Sequence, residues 1–162
     1  MRVGTGYDIH RLGGGRPFLL GGIRIESAQG PVAHSDGDVL VHAIIDAMLG
    51  ATGLGDIGGH FAPSEPRWQG AAGSTLLDHT LGLVHEAGFQ VYNLDSTVIL
   101  EQPKLAPYIP QIRENLARLL GIAPGTVNVK AKTNEGLDAL GQGRAVAAHA
   151  VVLLVEQEWA PT

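Results

Sequence analysis

Cysteine is absent from the 162 residues, so no disulfide staples this chain. Any metal site must draw on histidine and carboxylate ligands. Basic runs are missing too: 11 Lys and Arg stand against 16 Asp and Glu, a net charge of −5. Without a basic stripe, a nucleic-acid backbone is excluded as an expected partner. A phosphate handled by such an acidic chain needs local cations, either a few lysines or bound metal ions, or else backbone N–H groups. Long apolar runs are also lacking. Ala150 to Val155 is among the longest, far short of the ~20 residues that span a bilayer. The opening MRVGTGYDIH has no apolar signal core, and a cytoplasmic setting is the expectation. Aromatics are sparse at 5%, whereas glycine is plentiful at 23 residues, which predicts tight turns and close backbone approaches. A hydrophobic content of 44% suits one compact domain over 1–162.

Patterning gives the elements. Arg2 to His10 reads as a strand, and Phe18-Leu19-Leu20, Gly21-Gly22, Ile23-Arg24-Ile25 reads as a hairpin. His34-Ser35-Asp36-Gly37-Asp38 precedes a helix ending near Leu49, with Ser35 or Asp36 as candidate caps. Residues 53–66 read as a functional loop with room for one helical turn. Helices are expected over 74–87 and 107–120, each followed by glycine, and strands over 93–101, 126–133 and 144–155. The last strand is almost wholly apolar and needs cover on both faces. Few helices serve this sheet, so the expected class is α+β, a mixed sheet with helices on one face and the other face buried in an oligomer.

Chemistry is concentrated near the N-terminus. Asp8 and His10 are two apart on a strand and so point to one face. If the first helix packs over that strand's end, His42 completes a His₂Asp set. Three protein ligands with one position open is the catalytic zinc pattern. Asp38, His42 and Asp46 stack at helical spacing, so a carboxylate can orient the imidazole; alternatively Asp38 caps the helix and Asp46 is solvated. His34 and Ser35 lie at a helix N-terminus, where anions bind. Asp56-Ile57-Gly58 can meet a ribose diol or simply form an Asx-turn. Lys132, Thr133, Asn134 and Glu135 end a strand, with Glu135 a hard-cation ligand for Mg²⁺ or Mn²⁺; the plain alternative is a solvated strand end. Pro103-Lys104-Leu105-Ala106 is a rigid bend that can read a base edge or merely connect elements.

Taken jointly, G-x-G-Y-D-x-H-R at 4–11, H-S-D-G-D at 34–38, His42, L-G-D-I-G at 54–58, E-Q-P-K-L at 101–105 and K-T-N-E at 132–135 resemble the 2-C-methyl-D-erythritol 2,4-cyclodiphosphate synthase family along the whole chain. The resemblance implies a homotrimer with sites between subunits, Zn²⁺ on Asp8, His10 and His42, and a second ion, Mg²⁺ or Mn²⁺, on Glu135. It assigns His34 and Thr133 to transition-state stabilisation. Substrate contacts are implied for Asp8, Ile9 and His10, for His34 and Ser35, for Asp56, Ile57 and Gly58, and for Phe61, Ala62, Pro63, Ser64 and Glu65. They are implied also for Leu100, Glu101, Gln102, Pro103, Lys104, Leu105 and Ala106, for Lys132 to Glu135, and for Ala139 and Gln142. The implied substrate is the cytidine diphosphate-linked 4-diphosphocytidyl-2-C-methyl-D-erythritol 2-phosphate. The implied products are a cyclic diphosphate and CMP, in the non-mevalonate route to isoprenoid precursors.

Two departures from the family pattern stand out. Phe61-Ala62-Pro63-Ser64-Glu65-Pro66 replaces F-P-D-T-D-P, so Glu65, rather than residue 63, is expected to reach the erythritol hydroxyls. Gln142 stands where many members carry arginine, which removes a cation expected near the trimer axis. Two alternatives use the same residues: a zinc-dependent phosphohydrolase that activates water, and a non-catalytic trimeric scaffold that retains the metal site.

Overall fold

A computed structural model describes residues 1–62 and 64–158. The chain begins with β1 (Arg2–Gly13), the hairpin β2 (Phe18–Leu20) and β3 (Ile23–Ile25), and the short β4 (Gly30–Pro31). Then come α1 (Val39–Thr52), the single-turn α2 (Ile57–His60), a 3₁₀ turn at Pro66–Trp68, and α3 (Gly73–Glu86). β5 (Phe89–Ile99), α4 (Ile109–Leu120), a second 3₁₀ turn at Pro124–Thr126, β6 (Val127–Lys132), α5 (Asp138–Gly141) and β7 (Ala145–Glu156) complete it. The main sheet runs β4-β1-β7-β5-β6, antiparallel except for the parallel β5–β6 pair. The expected α+β class with a mixed sheet is observed. Strand β5 starts four residues earlier than its β-branched stretch suggests, because Phe89 to Val91 pair with the end of β7. Among the described residues, no helix is long and apolar enough to cross a membrane.

Helix α1 is the centre of the core. Eleven of its fourteen residues are buried, so it has hardly any polar face, as its all-round apolar sequence anticipates. It lies directly on β1. A Cβ added at Gly6 would fall 1.9 Å from the Ala43 carbonyl oxygen, and one at Gly4 would fall 1.9 Å from that of Ala47. Two residues along a strand rise about 6.6 Å and four along a helix about 6.0 Å. The two elements therefore stay in step. Even-numbered residues of β1 face the helix, so the row Gly4, Gly6 continues into Asp8 and His10 beside the first turn of α1.

The start of α1 is fixed by Asp38, whose side chain is 1% exposed. Its Oδ1 accepts the N–H groups of Gly21 (2.9 Å) and Val41 (3.1 Å), and its Oδ2 accepts that of Gly22 (2.6 Å). Burial drives its carboxyl above the ordinary range against those three lowering contacts. Asp38 is therefore the cap and ties the β2–β3 turn to the helix; neither Ser35 nor Asp36 fills that position. Asp38→Ala leaves three donors unpaired, two of them in buried contacts, each costing about 1–3 kcal/mol, so a loss of at least about 3 kcal/mol is expected in urea unfolding. Asp38→Asn keeps the Oδ1 contacts but sets an NH₂ against the Gly22 N–H, and an intermediate loss is expected.

The opposite sheet face is open in the single chain. Val3, Tyr7, Ile9 and Val151 are exposed there, and Tyr7 stacks on His149 across the β1–β7 ladder with ring centroids 4.7 Å apart. Asp95 pairs with Lys130 on the same face, which holds the Asp95 carboxyl below its usual value. The apolar strand β7 thus has α1 along one side, while on the other the four-residue α5 covers only its start, where Leu140 packs on Ala145 and Ala147, so the expected placing of helices on one face alone does not hold at this corner.

Candidate active site

Three ligand atoms converge where β1 meets the first turn of α1. His42 Nδ1 lies 3.0 Å from Asp8 Oδ2, His10 Nε2 lies 3.4 Å from the same oxygen, and the two nitrogens are 3.2 Å apart. The outer ring nitrogens are occupied: His10 Nδ1 contacts the Ile9 carbonyl at 2.9 Å, and His42 Nε2 contacts Ser35 Oγ at 3.2 Å. If each outer nitrogen carries its ring's proton, each inner nitrogen presents a lone pair. Two lone pairs and a carboxylate oxygen then face one another, an arrangement that repels unless a cation sits between them. Zn–N and Zn–O bonds of about 2.0–2.1 Å subtend tetrahedral edges of about 3.3 Å. The observed edges of 3.0, 3.2 and 3.4 Å match that size, so the donor set fits a divalent metal.

The stacked carboxylates on α1 do not orient His42. Asp38 is committed to Gly21, Gly22 and Val41, and Asp46 accepts the Ile57 N–H at 2.8 Å, which anchors α2. The partner is Ser35, a loop residue whose contact with His42 no helical spacing could reveal. Burial lowers the His42 pKa, but the Asp8 hydrogen bond and the fields of Asp8, Asp38 and Asp36 more than reverse this and hold it above the ordinary value.

The three ligands lie at the edge of a cavity of about 520 Å³. His34, Ser35, Ile57, Gly58, Phe61 and Ser64, all substrate-contact candidates from the sequence, line it. Val32, Ala33, Pro66, Trp68, Gln69 and Leu76 line it as well and were not anticipated. Trp68, the one large aromatic amid the turn residues of 62–70, was the available clue. Its ring packs edge-on to Phe61 at 4.9 Å and beside His79 at 5.6 Å, making an apolar wall opposite the charged cluster. Asp36 secures the rim. Its Oδ2 accepts the Gly73 N–H at 2.6 Å, capping α3, where Ala72 supplies no side-chain cap.

Other candidates fall elsewhere. Asp56 caps α2 by accepting the Gly59 N–H at 2.8 Å, an Asx-type contact, while its neighbours Ile57 and Gly58 face the cavity. Pro63 lies outside the described residues. The Glu65 carboxylate is held by Arg67 at 2.6 Å, so a contact to erythritol hydroxyls would require that pair to open, and Ser64 takes the cavity wall instead. The segments 100–106 and 132–135 do not line this cavity. Register explains why: Ile9 pairs with Ala147, Ala147 with Ile99, and Ile99 with Lys132. Lys132 is level with the ligand strand but three strand spacings away, about 14 Å. Gln142 borders a separate groove with Glu101, Gln102 and Pro103, and Ala139 borders another with Arg11 and Arg144.

The YgbB family model matches residues 1–155. A 2-C-methyl-D-erythritol 2,4-cyclodiphosphate synthase of Synechococcus sp. (strain JA-3-3Ab) is 54% identical over 157 residues, covering 97% of this chain and 100% of that one. The chain belongs to the 2-C-methyl-D-erythritol 2,4-cyclodiphosphate synthase family. A solved synthase of this family in its CDP-bound form superposes with a TM-score of 0.89 at 41% identity, covering 95% of this chain and all of the other. The bifunctional protein of Campylobacter jejuni superposes with a TM-score of 0.93 at 38% identity; this chain spans 98% of its own length and 43% of that longer one.

Proposed function

We infer that this enzyme, a lyase of isoprenoid precursor synthesis, converts 4-diphosphocytidyl-2-C-methyl-D-erythritol 2-phosphate to 2-C-methyl-D-erythritol 2,4-cyclodiphosphate and CMP in a site shared between adjacent copies of a homotrimer. The observation that carries the reading is the Asp8–His10–His42 triangle at the mouth of an apolar-walled cavity. Asp8, His10 and His42 would hold Zn²⁺, and Glu135 would take Mg²⁺ or Mn²⁺ with substrate phosphates. Such ions, when bound, supply positive charge against phosphate oxygens.

The chain's own residues then position the reactants. The 2-phosphate oxygen of the substrate attacks the β-phosphorus of its own diphosphate. A P–O bond forms there, the bond to the bridging oxygen breaks, and CMP departs with that oxygen. The nucleophile is already anionic, so no strong base is needed; orientation and charge neutralisation carry the step. His34 and Ser35 line the cavity beside the triangle and suit the phosphate end. Ile57, Phe61, Trp68 and Leu76 present carbon to the branched methyl-erythritol and exclude water.

The cations and the base-reading bend come from another copy. Lys132 and Thr133 sit about 14 Å across the sheet from the ligand strand and the 100–106 segment, after β5, about 10 Å, and neither lines the same cavity. The uncovered face carrying Val3, Tyr7, Ile9 and Val151 is where neighbouring copies would pack. The test is incubation of metal-loaded enzyme with the diphosphocytidyl substrate, with product masses read directly. A cyclic diphosphate with equimolar CMP supports the reading. A linear phosphate points to the phosphohydrolase, and unchanged substrate to a scaffold.

A further inference from the structure

We infer that Glu101 is a positioning residue whose carboxylate clamps the loop after β6 to the loop after β5 and so sets where Thr133 and Glu135 stand.

The last backbone bond of the parallel ladder is Leu100 N–H to the Lys132 carbonyl at 2.9 Å. Beyond it both chains leave the sheet and need another tie. Glu101 Oε1 accepts the Asn134 N–H at 2.7 Å, a half-buried contact across 33 residues of sequence. The geometry after this point is costly to hold. Glu135 has φ 51° and Gly136 has φ 77°, two successive left-handed residues, the first with a side chain. Thr133 Oγ1 turns back to Glu135 Oε1 at 3.1 Å, so the two side chains move as one unit with the loop. Asn134 Nδ2 braces the far side on Asp138 Oδ2 at 2.9 Å. The near side has the Glu101 carboxylate. With one oxygen committed to a backbone donor, Glu101 acts on Thr133 and Glu135 through the loop.

This inference rests on the functional reading above, in which Thr133 and Glu135 face phosphates, but the clamp itself can be measured without turnover. In hydrogen exchange on the wild-type protein, the Asn134 amide is expected to be protected. Glu101→Ala should speed its exchange by at least about tenfold, and Glu101→Gln, which keeps an acceptor oxygen, should restore most of the protection. In steady-state assays Glu101→Ala should lower kcat by about 10- to 100-fold, with a smaller change in KM. Bound zinc should stay at the wild-type level, and Glu101→Gln should recover most of the lost kcat. If Gln is as damaging as Ala, the charge and not the clamp matters, and the inference is overturned. It is overturned equally if Asn134 exchange is unchanged in Glu101→Ala, or if exchange accelerates while kcat holds. Should Glu101→Ala fail to fold, the exchange and kcat of Glu101→Gln decide alone: near wild-type values sustain the clamp, and a collapse of either refutes it. A wild-type protein without synthase activity would defeat the functional reading and leave the exchange result to stand or fall separately.

Discussion

Replacing His42 with alanine is expected to abolish metal retention and turnover together. The residue is 7% exposed and supplies one corner of a triangle whose edges are all within 3.0–3.4 Å. Removing it leaves one imidazole and one carboxylate, too few to hold a divalent ion against dilution. Charge stabilisation worth several kcal/mol is then lost, and kcat should fall by about 10³-fold or more. Folding should survive, because Asp38 and not His42 caps α1. Metal content by mass spectrometry and kcat on the same preparation check this. Full zinc occupancy with normal turnover in His42→Ala would sink the ligand assignment.

The second large effect is expected from a residue with no side chain. In Gly6→Ala, the new methyl would meet the Ala43 carbonyl oxygen at 1.9 Å and the Ala47 nitrogen at 2.8 Å. Neither is the tip of a flexible side chain. Backbone must move, and α1 is buried on nearly every side. Overpacking of this kind costs about 3 kcal/mol or more. The same movement would lift the first turn of α1 off β1 and spread the Asp8–His42 contact. Gly6→Ala is therefore expected to show a lower urea midpoint and weaker zinc retention in parallel. Gly82→Ala, where nothing lies within 4 Å of an added Cβ, is the matched control and should be neutral or slightly stabilising. Equal stability of the Gly6 and Gly82 variants would contradict the packing account.

How much of this was legible beforehand depended on the range of the interaction. The pairing of Asp8 with His10 follows from strand alternation alone. The approach of His42 was conditional on the helix packing over that strand, and Gly4 and Gly6 are what permit it. The hairpin at Phe18 to Ile25 was legible because Gly21 and Gly22 supply two positive φ angles in the turn. The His42 partner was not. Helical spacing pointed to Asp38 or Asp46, but both carboxylates are claimed by backbone donors from other loops, and Ser35 reaches the ring from outside the helix. The Glu101–Asn134 clamp was equally hidden, since it depends on β5 and β6 pairing in parallel across an intervening helix. Trp68, Gln69 and Leu76 join the cavity only because the 64–72 segment folds back on α3, where Asp36 receives the Gly73 N–H.

The central claim is that a cavity on one copy is completed by the 132–135 segment of another. Subunit complementation tests it most directly. His42→Ala and Thr133→Ala proteins, each nearly inactive alone, are unfolded together, refolded as an equal mixture and assayed. A ring of heterologous interfaces pairs an intact His42 with a neighbour's intact Thr133 at about one site in four, so about a quarter of wild-type activity should return. A mixture no more active than its two components would show that each site lies within one chain and would contradict the account.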